Sequence, residues 1–144
     1  MKGRPGFTLI EVTVALAVTL ILLGVVVIIS INFIKNREVE VLTETMVSYL
    51  RAAEQRALAS EGNVSHGVSL AGGNLTMFRG ASYATRQTAY DTIMPYPSYI
   101  TFTGVTEVVF AKQTGVPSAT GTITVNNGVR TAIITIYSTG AISQ

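Results

Sequence analysis

The longest apolar segment of the sequence begins with Gly6-Phe7-Thr8-Leu9-Ile10-Glu11-Val12. The remainder of the chain is best interpreted starting from this stretch. Between Phe7 and Ile34 the only ionisable residue is Glu11. The segment is about 28 residues long, more than the ~20 that a helix needs to cross a bilayer. Because lipid offers the backbone no hydrogen-bond partners, such a segment must be helical. The sequence therefore predicts a transmembrane helix over residues 7–34.

The charges beside this segment predict its orientation. Lys2 and Arg4 precede it with no acidic residue nearby, which places the N-terminus in the cytoplasm by the positive-inside rule. Lys35 and Arg37 follow the segment and weaken that rule. The expected topology is a single pass, with the C-terminal part of the chain outside the membrane.

Two ordinary explanations compete for this segment. A cleaved secretory signal needs a shorter apolar run and a small-x-small cleavage site, and the residues around Ser30-Ile31-Asn32-Phe33 offer none. An uncleaved signal anchor with an unrelated outer domain is the stronger alternative, but it leaves Glu11 unexplained. A carboxylate within a membrane helix costs about 2.5–3.5 kcal/mol on insertion scales and indicates a function.

The position of Glu11 suggests what that function is. If the chain were cut before Phe7, a new amino-terminal charge would lie one helical turn from the Glu11 carboxylate. An amine and a carboxylate from neighbouring subunits could then pair and offset the cost of burying each other. Lateral assembly would depend on correct processing.

These residues resemble the class III signal of type IV pilins and type II secretion pseudopilins. The resemblance implies a leader of residues 1–6, cleavage between Gly6 and Phe7 by a prepilin peptidase, and N-methylation of Phe7. It makes Glu11 the fifth mature residue, with a role in assembly. The sequence departs from the family in one respect. Many pilins have a helix-loosening proline midway along this segment, whereas here the only residue of comparably weak helix propensity is Gly24.

An amphipathic pattern continues the helix beyond the apolar segment. Apolar residues recur at spacings of three and four at Val39, Leu42, Met46, Leu50, Ala53 and Ala57. With no intervening proline, we expect one long helix from Phe7 to about Ser60, ended by Gly62-Asn63. A separate surface helix joined by a turn near Asn32–Asn36 is the alternative. In either case the apolar stripe must be covered by residues C-terminal to it.

The remainder of the chain has the composition of short antiparallel strands. Gly72-Gly73-Asn74 and Asn126-Asn127-Gly128 separate β-rich runs and predict two hairpins. Residues 79–98 lack periodicity and contain two prolines, so they are expected to form a loop. The predicted fold class is α+β: a helix over residues 35–61 packed on a twisted antiparallel sheet within residues 63–144. Residues 35–144 form the outer domain in this prediction. A long helix followed by antiparallel strands is the order of elements that the resemblance to pilins implies.

Within the superfamily, three segments are similar to the GspH/FimT family of minor pseudopilins and minor pilins: residues 50–59, 78–83 and 134–142. The resemblance implies a minor filament subunit located first in the bacterial cytoplasmic membrane and then in a pilus or pseudopilus. Its implied partners are other subunits, the prepilin peptidase and the inner-membrane assembly platform.

Composition argues against an enzyme or a metal protein. There is no cysteine, His66 is the only histidine and Asp91 is the only aspartate, so neither a zinc site nor a calcium loop is expected. No cofactor is predicted. The net charge is only +2, and the basic residues are scattered. A DNA-binding minor pilin of a DNA-uptake pilus is the alternative function, but nucleic acid is not the expected partner unless Arg79, Arg86 and Arg130 converge.

Overall fold

The computed structural model describes residues 6–144, apart from the side chains of residues 25–32. Lys2, Arg4 and the rest of residues 1–5 of the predicted leader lie outside this described part. The chain forms two units, Met1–Lys35 and Asn36–Gln144.

Helix α1 extends from Leu9 to Leu58, a length of 50 residues. This confirms the prediction of one long helix, and the alternative of a turn near residues 32–36 is wrong because the backbone is helical there. After Leu58 the chain leaves the helix through Ser60, whose φ of 53° is left-handed, and Gly62, whose φ is 63°. A left-handed residue at this point is the usual end of a helix, and glycine adopts it without strain.

No helix is long and apolar enough to cross a membrane within the part of the chain that the structure describes. The predicted transmembrane segment, residues 7–34, includes residues 25–32, whose side chains fall outside that part.

Eight strands follow the helix and form two antiparallel sheets. Their bounds are β1 His66–Ser69, β2 Asn74–Arg79, β3 Thr92–Pro95, β4 Thr101–Gly104, β5 Glu107–Phe110, β6 Gly121–Asn126, β7 Thr131–Ile136 and β8 Ile142–Ser143. Sheet A has the order β3-β2-β1-β5, and sheet B has the order β4-β6-β7-β8. The α+β class and both predicted hairpins, β1–β2 and β6–β7, are confirmed. The strands are divided between two sheets rather than gathered in one.

Strand β3 lies within residues 79–98, where a loop was expected, and that prediction is wrong. β3 pairs only with β2, so it is the edge of sheet A, and Pro95 stands opposite Asn74 at its end. An edge strand tolerates proline because one side of its backbone needs no ladder partner. Its residues are largely exposed, which explains why they lack the alternation by which a strand is recognised.

The chain passes from sheet B to sheet A between β4 and β5. Gly104 ends β4 with a φ of 95°. Directly after it, the Val105 N–H donates to the Thr122 carbonyl of sheet B over 3.1 Å, and the Thr106 carbonyl accepts from Leu70 of sheet A over 2.9 Å. Two consecutive residues thus belong to different sheets, and the glycine allows the sharp change of direction.

The core of the outer unit lies between α1 and the inner faces of both sheets. The predicted stripe from Val39 to Ala57 is buried, which confirms the orientation of the amphipathic helix. It forms one core cluster with buried apolar side chains of β1, β2, β5, β6 and β7, including Leu75, Phe110, Val125 and Ile134. Burial of these side chains is the main source of the stability of the unit.

Candidate functional site

The first turn of α1 contains a reciprocal cap formed by Thr8 and Glu11. The backbone N–H and the hydroxyl of Thr8 both donate to Oε2 of Glu11, each over 3.2 Å. The backbone N–H of Glu11 donates back to the Thr8 hydroxyl over 3.3 Å. This arrangement is a capping box, which provides partners for N–H groups that the helix leaves free. The Thr-x-x-Glu spacing is visible in the sequence but was not used to predict it.

The carboxylate of Glu11 therefore has a local structural role in addition to the predicted role in assembly. It stands where the partial positive charge of the helix N-terminus favours an anion. Both hydrogen bonds from Thr8 go to the same oxygen. A hydrogen-bonding position on the carboxylate is thus left for a cation brought by another molecule.

The surface around Glu11 is apolar and solvent-exposed. Phe7 is 86% exposed, and the large apolar residues from Leu9 to Leu23 are all at least half exposed. One face of the helix forms a shallow groove lined by Phe7, Glu11, Val12, Ala15, Leu16, Thr19 and Leu20. The only charge in this groove is the carboxylate. A face of this kind is suited to association with other apolar helices, because an exposed apolar surface is costly in water.

Gly6, at which cleavage is predicted, precedes the capping box and is exposed. A side chain at this position would meet no neighbouring atom within 4 Å. Gly6, Phe7 and Glu11 thus lie within one exposed and continuous segment of the sequence.

The first turns of α1 thus present a capped helix end and an exposed apolar groove whose only charge is the Glu11 carboxylate, a surface suited to lateral contact with other helices. Residues 1–31 match the family model described as the prokaryotic N-terminal methylation motif, the signal of type IV pilins and pseudopilins. The motif supports a type IV pilin-like subunit, one that is processed by a prepilin peptidase and assembles with other such subunits. No curated protein and no solved structure gives a significant match to the chain.

The arginines that were considered for DNA binding each contact a carboxylate. Arg79 donates to Glu61 over 2.8 Å, and Arg86 donates to Asp91 over 2.7 Å. Arg130 lies 3.4 Å from Glu40. The hydrogen bond to Asp91 raises the pKa of Arg86. These contacts offset much of the positive charge that a phosphate backbone would need.

His66 lies in a strand, as its sequence context predicts, but its burial beside charged side chains was not predicted. It begins β1 and is only 2% exposed, and neither ring nitrogen makes a hydrogen bond of standard geometry to any residue that the structure describes. It lines a cavity of about 50 Å³ together with Arg56, Glu61, Arg79 and Tyr90. Burial is the main cause that lowers the pKa of His66, and the nearby Arg79 and Arg56 lower it further, whereas Glu61 and the backbone of Val64 oppose them. No sequence signal distinguishes this histidine from one in an ordinary strand.

The outer unit is expected to lose stability on mild acidification because of His66. The folded state holds the pKa of His66 below its usual value of 6.5, so the unfolded chain binds the proton more readily. The stability associated with a neutral His66 is fully present above about pH 6.5. It is lost as the pH falls through the lower pKa that His66 has in the folded state. Denaturant unfolding of the full chain between about pH 7 and pH 5 should show this loss.

The control for this prediction is His66→Leu, which removes the titrating group and leaves an apolar side chain. Its stability should change less over the same pH range than that of the wild type. Equal pH dependence in the two proteins would assign the effect to other groups.

Proposed function

We propose that the protein is a subunit, and a minor one, of a type IV pilus or a type II secretion pseudopilus. The observation that carries this proposal is the match of residues 1–31 to the N-terminal methylation motif, a range that includes Gly6, Phe7 and Glu11. In this proposal the segment 7–34 anchors the precursor in the bacterial cytoplasmic membrane by a single pass. The outer domain, residues 35–144, is then carried into the filament.

The minor-subunit assignment within the GspH/FimT family rests on three segments whose sequences resemble that family. Residues 50–59 include the C-terminal end of α1, residues 78–83 include the end of β2, and residues 134–142 include the end of β7. The segments that carry the resemblance are thus spread over the helix and both sheets. The implied partners are neighbouring subunits, the prepilin peptidase and the inner-membrane assembly platform.

One prediction from this proposal concerns the processing of the precursor. The native protein is expected to begin at Phe7 with a methylated amine, because the resemblance of residues 6–12 to the class III signal implies a cut after Gly6. Intact-mass and N-terminal peptide mass spectrometry of protein from its own cells provides the measurement. A matched variant, Gly6→Val, should keep the leader. A native chain that begins at Met1, or one cut after residue 30, would contradict the proposal.

The second prediction concerns the charge of Glu11. Both Glu11→Ala and Glu11→Gln are expected to stay in the membrane but to be lost from filaments, because neither side chain can pair with a neighbouring amine. Glutamine is the informative change, since it can complete a capping box at this position and alanine cannot. Immunoblots of membrane and sheared-filament fractions in a complemented deletion strain measure the outcome.

The two variants separate the two roles of Glu11. Assembly of Glu11→Gln at the wild-type level, together with failure of Glu11→Ala, would show that the cap matters and the charge does not. Normal assembly of both variants would remove Glu11 from the assembly mechanism altogether.

The alternative function, DNA capture by a DNA-uptake pilus, has less support. Arg79, Arg86 and Arg130 each face a carboxylate, and the described residues after Arg130 include no further Lys or Arg. Binding to duplex DNA depends on the number of phosphates that cations neutralise. Nucleic acid is therefore not among the proposed partners.

A further inference from the structure

The turn between β6 and β7 lies beside the residues through which the chain enters the outer unit. The unit begins at Asn36, and Glu40 follows it on α1 after four residues, about 6 Å along a helix. Arg130 directly precedes β7, and its Nη1 lies 3.4 Å from the Glu40 carboxylate. The turn, residues 127–130, is therefore held at the end of the outer unit where the chain enters it.

The exposed side chains at this end are a valine, a tyrosine and two arginines. Val129 in the turn is 70% exposed, more than any other large apolar side chain that the structure describes in the outer unit. Tyr99 is exposed and closely precedes β4, whose first residue pairs with the last residue of β6. Arg37 on α1 is exposed, and Arg130 is half-exposed. These four residues, Arg37, Tyr99, Val129 and Arg130, form the entry edge of the unit.

We propose that the entry edge contacts the phospholipid surface of the membrane in which the precursor is anchored. The inference rests on the proposed function, in which residues 7–34 form the anchor. A helix of that length extends about 42 Å, the thickness of a bilayer with its headgroups, so the anchor ends at the membrane surface. Only Lys35 separates it from Asn36, and one residue spans at most about 3.6 Å. The covalent connection therefore keeps this end of the unit at the level of the headgroups.

The side chains of the entry edge have the chemistry of a membrane interface. Tyrosine is enriched at the headgroup level because its ring is apolar and its hydroxyl is polar. Arginine binds phosphate through several N–H groups at once, and the contact of Arg130 with Glu40 uses one of its five donors. Val129 lies in a turn, so it can enter the boundary of the acyl chains without any change in the strands.

The anchor allows such a small contact to persist. One valine, one tyrosine and two arginines would not hold a free protein on a membrane, because binding from solution costs translational and rotational freedom. A tethered surface meets its partner at an effective concentration of about a millimolar, so a weak affinity is sufficient. The entry edge thus supplies a second point of attachment, which fixes the orientation of the outer unit on the membrane and must be released when the subunit enters a filament.

The test uses the full chain, which contains no cysteine, at one molecule per phospholipid nanodisc. Val129→Cys carries a fluorescent probe, and lipids with a nitroxide on the headgroup act as quencher. The matched control is a probe at Val116→Cys, where the valine is 52% exposed. Near it, the Gln113 N–H donates to the Ala57 carbonyl. Ala57 is seventeen residues beyond Glu40 on α1, about 25 Å along the helix, so the control reports on the opposite end of the unit.

A third probe tests the anchor separately. Ala17→Cys lies within residues 7–34, and lipids with a nitroxide in the acyl chain should quench it if this segment spans the bilayer. Quenching at Ala17 without quenching at Val129 would overturn the contact of the entry edge and leave the proposed anchor intact. Absence of quenching at Ala17 would overturn the anchor and, with it, the present inference.

The expected result is headgroup quenching at Val129 about threefold or more above that at Val116, because the two probes lie at opposite ends of the unit. Arg37→Gln and Arg130→Gln together, introduced into the Val129→Cys chain, should reduce this quenching about twofold or more by removing the phosphate contacts. Equal quenching at Val129 and Val116 contradicts the proposal, as does an unchanged signal in the double arginine variant. Quenching that requires two chains in a disc would assign the entry edge to a second copy of the chain instead.

Discussion

Leu50→Asp is expected to unfold the outer unit, the largest effect of any single change in the chain. Leu50 is fully buried on α1, in the middle of the stripe that faces the sheets. Truncating a buried leucine costs about 2–5 kcal/mol, and an unpaired carboxylate at the same place adds a further desolvation penalty of several kcal/mol. The sum is comparable with the whole stability of an ordinary domain, about 5–15 kcal/mol.

The control for this change is Val41→Asp on the same helix, where the valine is 52% exposed. This variant should unfold within about 1 kcal/mol of the wild type, because its carboxylate stays in water. Near-ultraviolet circular dichroism from the tyrosines and the thermal transition of the full chain distinguish the two variants. A cooperative transition at the wild-type temperature in Leu50→Asp would show that the buried face of α1 is assigned wrongly.

Gly104→Ala is expected to destabilise the outer unit by about 3 kcal/mol or more. Its φ of 95° disfavours any residue with a side chain, and an added Cβ would overlap the carbonyl oxygen of Thr122. That oxygen belongs to the backbone of β6 and accepts the hydrogen bond from Val105, so it cannot move without disturbing the pairing of β4 with β6. Denaturant unfolding measures the loss.

The variant Gly72→Ala separates the two causes of the destabilisation, the positive φ and the steric overlap with the backbone of β6. Gly72 also has a positive φ, 67°, but a Cβ there would meet no atom within 4 Å. It should therefore show only the conformational cost, about 1 kcal/mol. Equal losses in the two variants would mean that the close approach of Gly104 to β6 is unimportant.

The helix and the two hairpins could be predicted from the sequence because their signals are local. The stripe from Val39 to Ala57 repeats with the period of a helix, and Asn126-Asn127-Gly128 joins two runs of β-forming residues. The prokaryotic methylation motif is local as well, since Gly6, Phe7 and Glu11 fall within six consecutive residues.

The features that the sequence did not predict depend on distant parts of the chain. β3 is recognisable only through its partner β2, and the division into two sheets depends on Gly104 meeting Thr122. Two further contacts were not predicted for the same reason. Arg130 pairs with Glu40, which is far away in sequence, and His66 is buried beside Arg79 with no local sequence signal to show it. The sequence shows where the basic residues are. It does not show which carboxylates lie next to them in the fold.

The passage of the chain between sheets at Gly104 also implies an order of folding. The β6–β7 hairpin closes over a short loop and can form within about ten microseconds. Sheet A, by contrast, must pair Ser69 with Glu107 across about forty residues, which carries a larger entropic cost. Only two residues separate β4 from β5. The pairing of β4 with β6 therefore brings β5 towards β1 and lowers the entropic cost of pairing these two strands. Amide protection during refolding should therefore appear at Ile123 and Ile134 before it appears at Val68 and Val108.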